Sequence, residues 1–159
     1  VRNWKYGLGS TYVGADFQAD LGFVTRNDIL NIDPVASRTF YPVNSKINTH
    51  SIEVRGSSTW SPGLDFLYTD GMVDFEYQIN FRNQNSIEMA INHRYTYLLE
   101  DFDPTESEGG VPLPAFSDYN YTKFDFTFSL DRRRPFSFRA RTDIGQFIRV
   151  RKGEDRTDT

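Results

Sequence analysis

The sequence predicts an all-β chain, an antiparallel transmembrane barrel of the outer-membrane type, present here as a partial segment of about seven strands from a larger barrel. Three observations predict it. From Met72 to Leu99, Val73, Phe75, Tyr77, Ile79 and Phe81 alternate with Asp74, Glu76, Gln78, Asn80 and Arg82, and Ile87 to Leu99 repeats the pattern after Asn83-Gln84-Asn85. Side chains switch face at every strand residue, so each strand has one apolar and one charged face over ten or more residues, the length of a membrane-crossing strand. Second, aromatics reach 16% of a chain only 38% apolar; barrels take such rings into an outer band and two interfacial girdles. Third, short and long connections alternate along the chain, with short turns near 43–47, 83–85 and 131–135 and long loops near 13–36, 61–71 and 100–118. In outer-membrane barrels the short turns are periplasmic and the long loops external.

Taken in order, Trp4, Tyr6, Leu8, Ser10 and Tyr12 share one face of a first strand, with Gly7, Gly9 and Thr11 opposite. Phe17, Ala19, Leu21 and Phe23 alternate as a short strand would, whereas Asn27-Asp28 before Ile29-Leu30 also suits the cap of a helical turn. Ser37 to Tyr41 reads as a strand stopped by Pro42, and Asn44-Ser45-Lys46 as a turn. Ile52, Val54 and Trp60 line the next strand against Glu53, Arg55, Ser57 and Thr59. Ser61-Pro62-Gly63 breaks it, and Asp70-Gly71 is a turn signal before the long hairpin. After an irregular stretch over Glu100 to Asp118, Phe124, Phe126, Phe128 and Leu130 form one face of a strand. Asp131-Arg132-Arg133-Arg134-Pro135 turns the chain, and Phe136, Phe138, Ala140 and Ile144 return.

Residues 1–159 read as one partial barrel domain. The net charge of −4 supplies no basic field for nucleic acid. Without cysteine there is neither a disulfide framework nor thiolate chemistry. No run of 18 apolar residues forms a transmembrane helix. An opening of Val1-Arg2-Asn3-Trp4 without Met, a polar Gly153–Thr159 end and an odd strand count lead to the expectation of a piece of a larger protein.

Three segments carry a family resemblance. Ala15 to Asp28, with Asp20, Gly22, Phe23, Arg26 and Asp28, resembles the D-x-GFV-x-R-x-D segment of an uncharacterised bacterial outer-membrane barrel family. Val111-Pro112-Leu113-Pro114 is similar to that family's proline-bearing loop, and Arg134-Pro135-Phe136-Ser137 with Gly145-Gln146-Phe147 to its late hairpin. The resemblance implies a C-terminal barrel that commonly follows a β-sandwich similar to family-9 carbohydrate-binding modules. It therefore implies a location in the bacterial outer membrane and a link to glycan handling through a neighbouring domain. The sequence departs from the family where Arg149, Arg151 and Lys152 stand in place of a Gly-rich strand.

On the barrel reading, Glu53, Arg55, Asp74, Glu76, Arg82, Glu88, Arg94, Asp125, Arg139, Arg141 and Asp143 face the lumen. They either set pore selectivity or cross-pair and fill the interior; their signs nearly balance, so no ion preference follows. The acidic stretch Glu100, Asp101, Asp103, Glu106 and Glu108 lacks calcium-loop spacing and reads as a solvated loop. Arg132-Arg133-Arg134 reads as turn-edge chemistry, and His93 as an interfacial side chain on the apolar face. Trp4, Tyr6, Trp60, Tyr95, Tyr97, Tyr119 and Tyr121 fit interfacial belts, with sugar stacking as the alternative near the long loops. No catalytic motif, metal-ligand set or cofactor loop is present in the sequence, so the expectation is a non-enzyme without cofactor. The expected role is porin-like or transport-associated, with outer-membrane lipid, lipopolysaccharide and other outer-membrane proteins as partners. The alternatives are a plugged scaffold or binding barrel docked on a partner complex, and a soluble sugar-binding β-sandwich.

Overall fold

A computed structural model describes residues 3–18, 26–103, 112–131, 133 and 135–145. Seven strands follow one another in it: β1 (Trp4–Val13), β2 (Ile29–Phe40), β3 (Ile47–Ser61), β4 (Leu67–Phe81), β5 (Ser86–Leu98), β6 (Ser117–Ser129) and β7 (Arg139–Gly145). They form a single sheet in chain order, each strand antiparallel to the next. The expected all-β, antiparallel architecture is therefore present. The sheet is not closed: β1 and β7 are its two edges and do not pair with each other.

The β4–β5 hairpin carries the alternation of its sequence through eleven paired positions, Asp70↔Thr96 to Asn80↔Ser86. Its turn is held by Gln84 N–H donating to Phe81 O at 3.0 Å and Phe81 N–H to Asn85 O at 2.9 Å, with Gln84 at a φ of 66°. Asn44 takes a φ of 56° in the β2–β3 turn, a conformation asparagine tolerates better than most residues.

Strand boundaries differ from the sequence expectation in four places. β2 begins at Ile29, eight residues before the expected Ser37, so the connection read as 13–36 shrinks to 14–28. Pro34 concealed this, since proline cannot donate to a ladder. The sheet accommodates it by a gap: β2 pairs with β3 at Ile32↔Ser58 and next at Val35↔Arg55. Asn27-Asp28 leads straight into β2 rather than capping a helical turn. The connection read as 61–71 is one 3-10 turn, Pro62–Leu64, followed by Asp65 and Phe66 at φ values of 57° and 56°. Asp70-Gly71 thus lies inside β4, beside a register shift between Thr59 and Trp60 where fully buried Thr69 is the extra residue. Glycine is needed at position 71 for a packing reason: a Cβ there would lie 2.0 Å from the Tyr68 hydroxyl oxygen. Finally, β7 starts at Arg139, leaving Phe136 and Phe138 exposed in the preceding turn.

Cross-strand register sorts the side chains into two faces. Trp4 stands opposite Arg38, Phe75 opposite Val54 and Ile91, and Ile91 opposite Phe124, so all of these share the apolar face. Asp74 stands opposite Arg55 and Asn92, and Asp125 opposite Ala90 and Asp143, on the polar face. Tyr6, Leu8, Val54, Val73, Phe75, Ile91, Phe124 and Ile144 are all exposed, Leu8 by 76%. Among the described residues Leu113 is the one buried apolar side chain, held where the loop after β5 closes on itself through Phe102 and Leu113, N···O 3.0 and 2.8 Å. A soluble domain packs a second layer on such a face. Here none of the described elements covers it.

Candidate functional site

The polar face carries a network of charges brought together by strand parity and cross-strand register. Arg94 on β5 reaches diagonally to Asp74 on β4, its two terminal nitrogens donating to the two carboxylate oxygens at 2.5 and 3.3 Å. Arg55 pairs with Glu53, two residues away on the same side of β3. Asp125 on β6 is a hub: it accepts from Asn92 at 2.6 Å and pairs with Lys123 at 2.8 Å and Arg141 at 3.4 Å. Arg141 and Lys123 also reach Asp143, at 3.1 and 3.5 Å. Lys123 and Asn92 were missed in the sequence reading, although each shares the parity of a predicted neighbour, Asp125 and Arg94.

The other predicted polar residues are placed as follows. Glu76 faces Glu53 on β3 and Ala90 on β5, and Glu88 faces Gln78 and Thr127; neither makes an ion pair with a described residue. Arg139 opens β7 opposite Ser129, at the turn end of the same face. Arg82 lies beyond β4, where its Nε donates to Ser45 O at 2.7 Å and its backbone N–H to Lys46 O at 2.9 Å. It staples two neighbouring turns and is not part of the network. In the β6–β7 turn, Arg133 donates to the Asp131 carboxylate at 3.0 to 3.2 Å, and this hydrogen bonding raises the guanidinium pKa above its ordinary value.

A second feature sits at the loop end of the polar face. Arg26 Nη1 meets Asp70 at 2.5 Å, and Asp28 accepts from the Ser61 hydroxyl at 2.5 Å and from Gly63 N–H at 2.9 Å. Gly63 permits this approach, because a Cβ there would fall 2.7 Å from the carboxylate. Arg26, Asp28, Ser61 and Asp70 line an open pocket of about 670 Å³ together with Tyr97, Glu100 and Phe102. Asp101 accepts Ala115 N–H at 2.7 Å, which fastens the loop after β5. Of the family-like segment, Arg26 and Asp28 thus tie the strand-entry chain to β3 and β4; Asp20, Gly22 and Phe23 lie outside the described residues, as do Glu106 and Glu108.

The apolar face has aromatic clusters at both ends. At the loop end Tyr68 lies between Trp60 and Tyr95, ring centroids 5.7 and 5.2 Å away. At the turn end Trp4 stacks on Tyr6 at 5.7 Å, Phe40 on His50 at 4.6 Å, and His50 meets Tyr77 edge-on. His93 sits between the clusters and hydrogen-bonds Thr122 Oγ1 at 2.9 Å. Tyr119 and Tyr121, expected in the belts, instead share the polar face, opposite Thr96 and Arg94. Their parity with Lys123 and Asp125 carried that signal.

The chain matches the domain of unknown function DUF5916 over residues 1–158. It belongs to that family. No curated protein and no solved structure matches it. Family membership therefore brings no assigned activity, and the functional reading rests on the two faces of the sheet.

Proposed function

We propose that this DUF5916 chain is part of an outer-membrane β-barrel with a passive, porin-like or transport-associated role. The observation that carries the reading is the division of the sheet into an exposed apolar face with aromatic clusters at both ends and a polar face whose ion pairs run across β3 to β7. Its dimensions suit a bilayer. From His50 to Trp60 on β3, ten residue steps cover ~33 Å along the strand, or ~25 Å across a membrane at a tilt of ~40°. Aromatic side chains at the two rims would meet the headgroup regions, and aliphatic and Phe side chains between them the acyl chains. The polar face would line a wet lumen, with further strands of the barrel joining the two free edges. Outer-membrane lipid, lipopolysaccharide on the external side and other outer-membrane proteins are the partners this reading implies. A glycan link would come from the neighbouring sandwich domain.

The pairing of Asp74 with Arg94, and of Asp125 with Lys123 and Arg141, favours a second reading. Cross-paired charges fill an interior as readily as they line a pore, and the protein would then be a plugged scaffold or binding barrel. Planar-bilayer recording of the full-length protein separates the two: discrete conductance steps support transport, and insertion without current supports the scaffold. A full-length protein that stays soluble and monodisperse without detergent sinks the membrane reading altogether.

A further inference from the structure

We infer that Arg38 and the apolar groove beside it form a phospholipid-binding site, the guanidinium holding the headgroup phosphate and the groove an acyl chain. The inference rests on the membrane reading of the apolar face. Arg38 is the one Lys or Arg whose strand parity puts it on that face among the described residues. Its guanidinium lies 5.1 Å from the centroid of Trp4 and 4.5 Å from that of Phe40, at the turn-end rim. The two rings fix it against the sheet.

What Arg38 lacks is an anion. Arg55, Arg94 and Arg141 on the polar face each have a carboxylate, whereas Arg38 makes no ion pair or hydrogen bond to a described residue. Its Nε is buried without a partner. An incoming acceptor would meet the terminal nitrogens of this half-buried side chain, and a forked anion such as phosphate suits a guanidinium there best.

The groove decides in favour of a lipid over a free anion. Directly along the strands from Arg38, a groove of about 410 Å³ is bordered by Tyr6, Pro34, Ala36, Val54, Gly56 and Val73, and is almost wholly apolar. It exists because small side chains meet at the gap in the β2–β3 ladder; a Cβ on Gly56 would sit 3.2 Å from Pro34 Cγ. Phosphate at the rim with hydrocarbon next to it in the groove is the layout of a phospholipid.

The test is titration of the full-length protein in detergent micelles with phosphatidylglycerol, reading retained lipid by native mass spectrometry. The wild type should retain lipid that excess inorganic phosphate does not displace. Arg38→Gln should weaken retention roughly tenfold or more, the worth of a charge-assisted phosphate contact, and Ala36→Phe should weaken it independently by filling the groove. Arg38→Lys, which keeps the charge without the fork, should fall between. Equal retention by wild type and folded Arg38→Gln, no retention by the wild type, or displacement by inorganic phosphate each overturns the site. Such a result leaves the barrel reading standing if the protein still inserts into vesicles; a protein that needs no detergent removes both.

Discussion

The two faces of the sheet are built by alternate residues of the same strands, yet they end in opposite states. On the polar face nearly every cation with a strand position near the centre has found a carboxylate, and Asp125 alone gathers Asn92, Lys123 and Arg141. On the apolar face Val73, Phe75, Ile91 and Phe124 stand exposed with nothing over them. The backbone ladder serves both faces alike, with one gap in β2–β3 between Ile32 and Val35. The difference teaches that hydrogen bonding holds this sheet together, while the hydrophobic term that stabilises ordinary domains has been left for something outside the described chain to supply.

The sharpest way to break that comparison uses two adjacent residues. Ile91 faces the apolar side, opposite Phe75 and Phe124; Ala90 faces the polar side, between Glu76 and Asp125. If the apolar face meets hydrocarbon, Ile91→Arg should cost about 2–4 kcal/mol at the middle of the band. Ala90→Arg places a cation beside two carboxylates and should cost less than ~1 kcal/mol, within the range of exposed ion pairs. Denaturant titration of the full-length protein refolded into vesicles reads both. Equal costs would mean the faces do not differ in environment.

A smaller effect tests how the loop-end aromatic cluster is made. Gly71→Ala would drive a methyl group into the Tyr68 hydroxyl, so the ring must leave Trp60 and Tyr95. Two ring contacts at ~0.5–1.5 kcal/mol each put the loss near 1–2 kcal/mol. In a Tyr68→Leu background the same glycine substitution should cost almost nothing, since the clash is gone. If the cost persists there, backbone approach rather than ring packing makes Gly71 necessary.

Much of this was legible in the residues, and the failures have physical causes. The Met72–Leu99 hairpin and the Phe124–Leu130 end of β6 announced themselves because each alternates without interruption, and period 2 has no helical reading over such length. The first half of β6 was hidden because Tyr119 and Tyr121 fall on the opposite parity to Phe124, Phe126 and Phe128. β2 was cut short because Pro34 and the adjacent pair Ile29-Leu30 break the alternation, and only β1 and β3 on either side make the strand tolerable. Asp70-Gly71 imitates a turn because glycine there serves Tyr68, a contact no local pattern encodes. The polar network was read as a set of residues but not as pairs: Arg55–Glu53 and Arg141–Asp143 are same-strand neighbours two residues apart, whereas Arg94–Asp74 and Arg141–Asp125 cross strands and depend on register. Arg82 became a staple between turns instead of a network member because β4 ends at Phe81, and strand parity alone already put Tyr119 and Tyr121 with Lys123 and Asp125.

The smallest effect is the one that tells a wet polar face from a sealed one. Asp74 and Arg94 make two contacts across β4 and β5 with side chains 19% and 31% exposed. A double-mutant cycle through Asp74→Asn and Arg94→Gln should give a coupling of about 0.5–1 kcal/mol, the value expected of a partly screened pair. The informative quantity is its salt dependence. With open water beside the pair, raising salt from ~0.1 M to ~1 M shortens the Debye length from ~10 Å to ~3 Å and should reduce the coupling substantially. If the polar face is sealed and the pair shielded from bulk ions, the coupling should stay nearly constant over the same range. On the barrel reading proposed above, the first result would put the network along a solute path and the second would make it the filling of a closed interior.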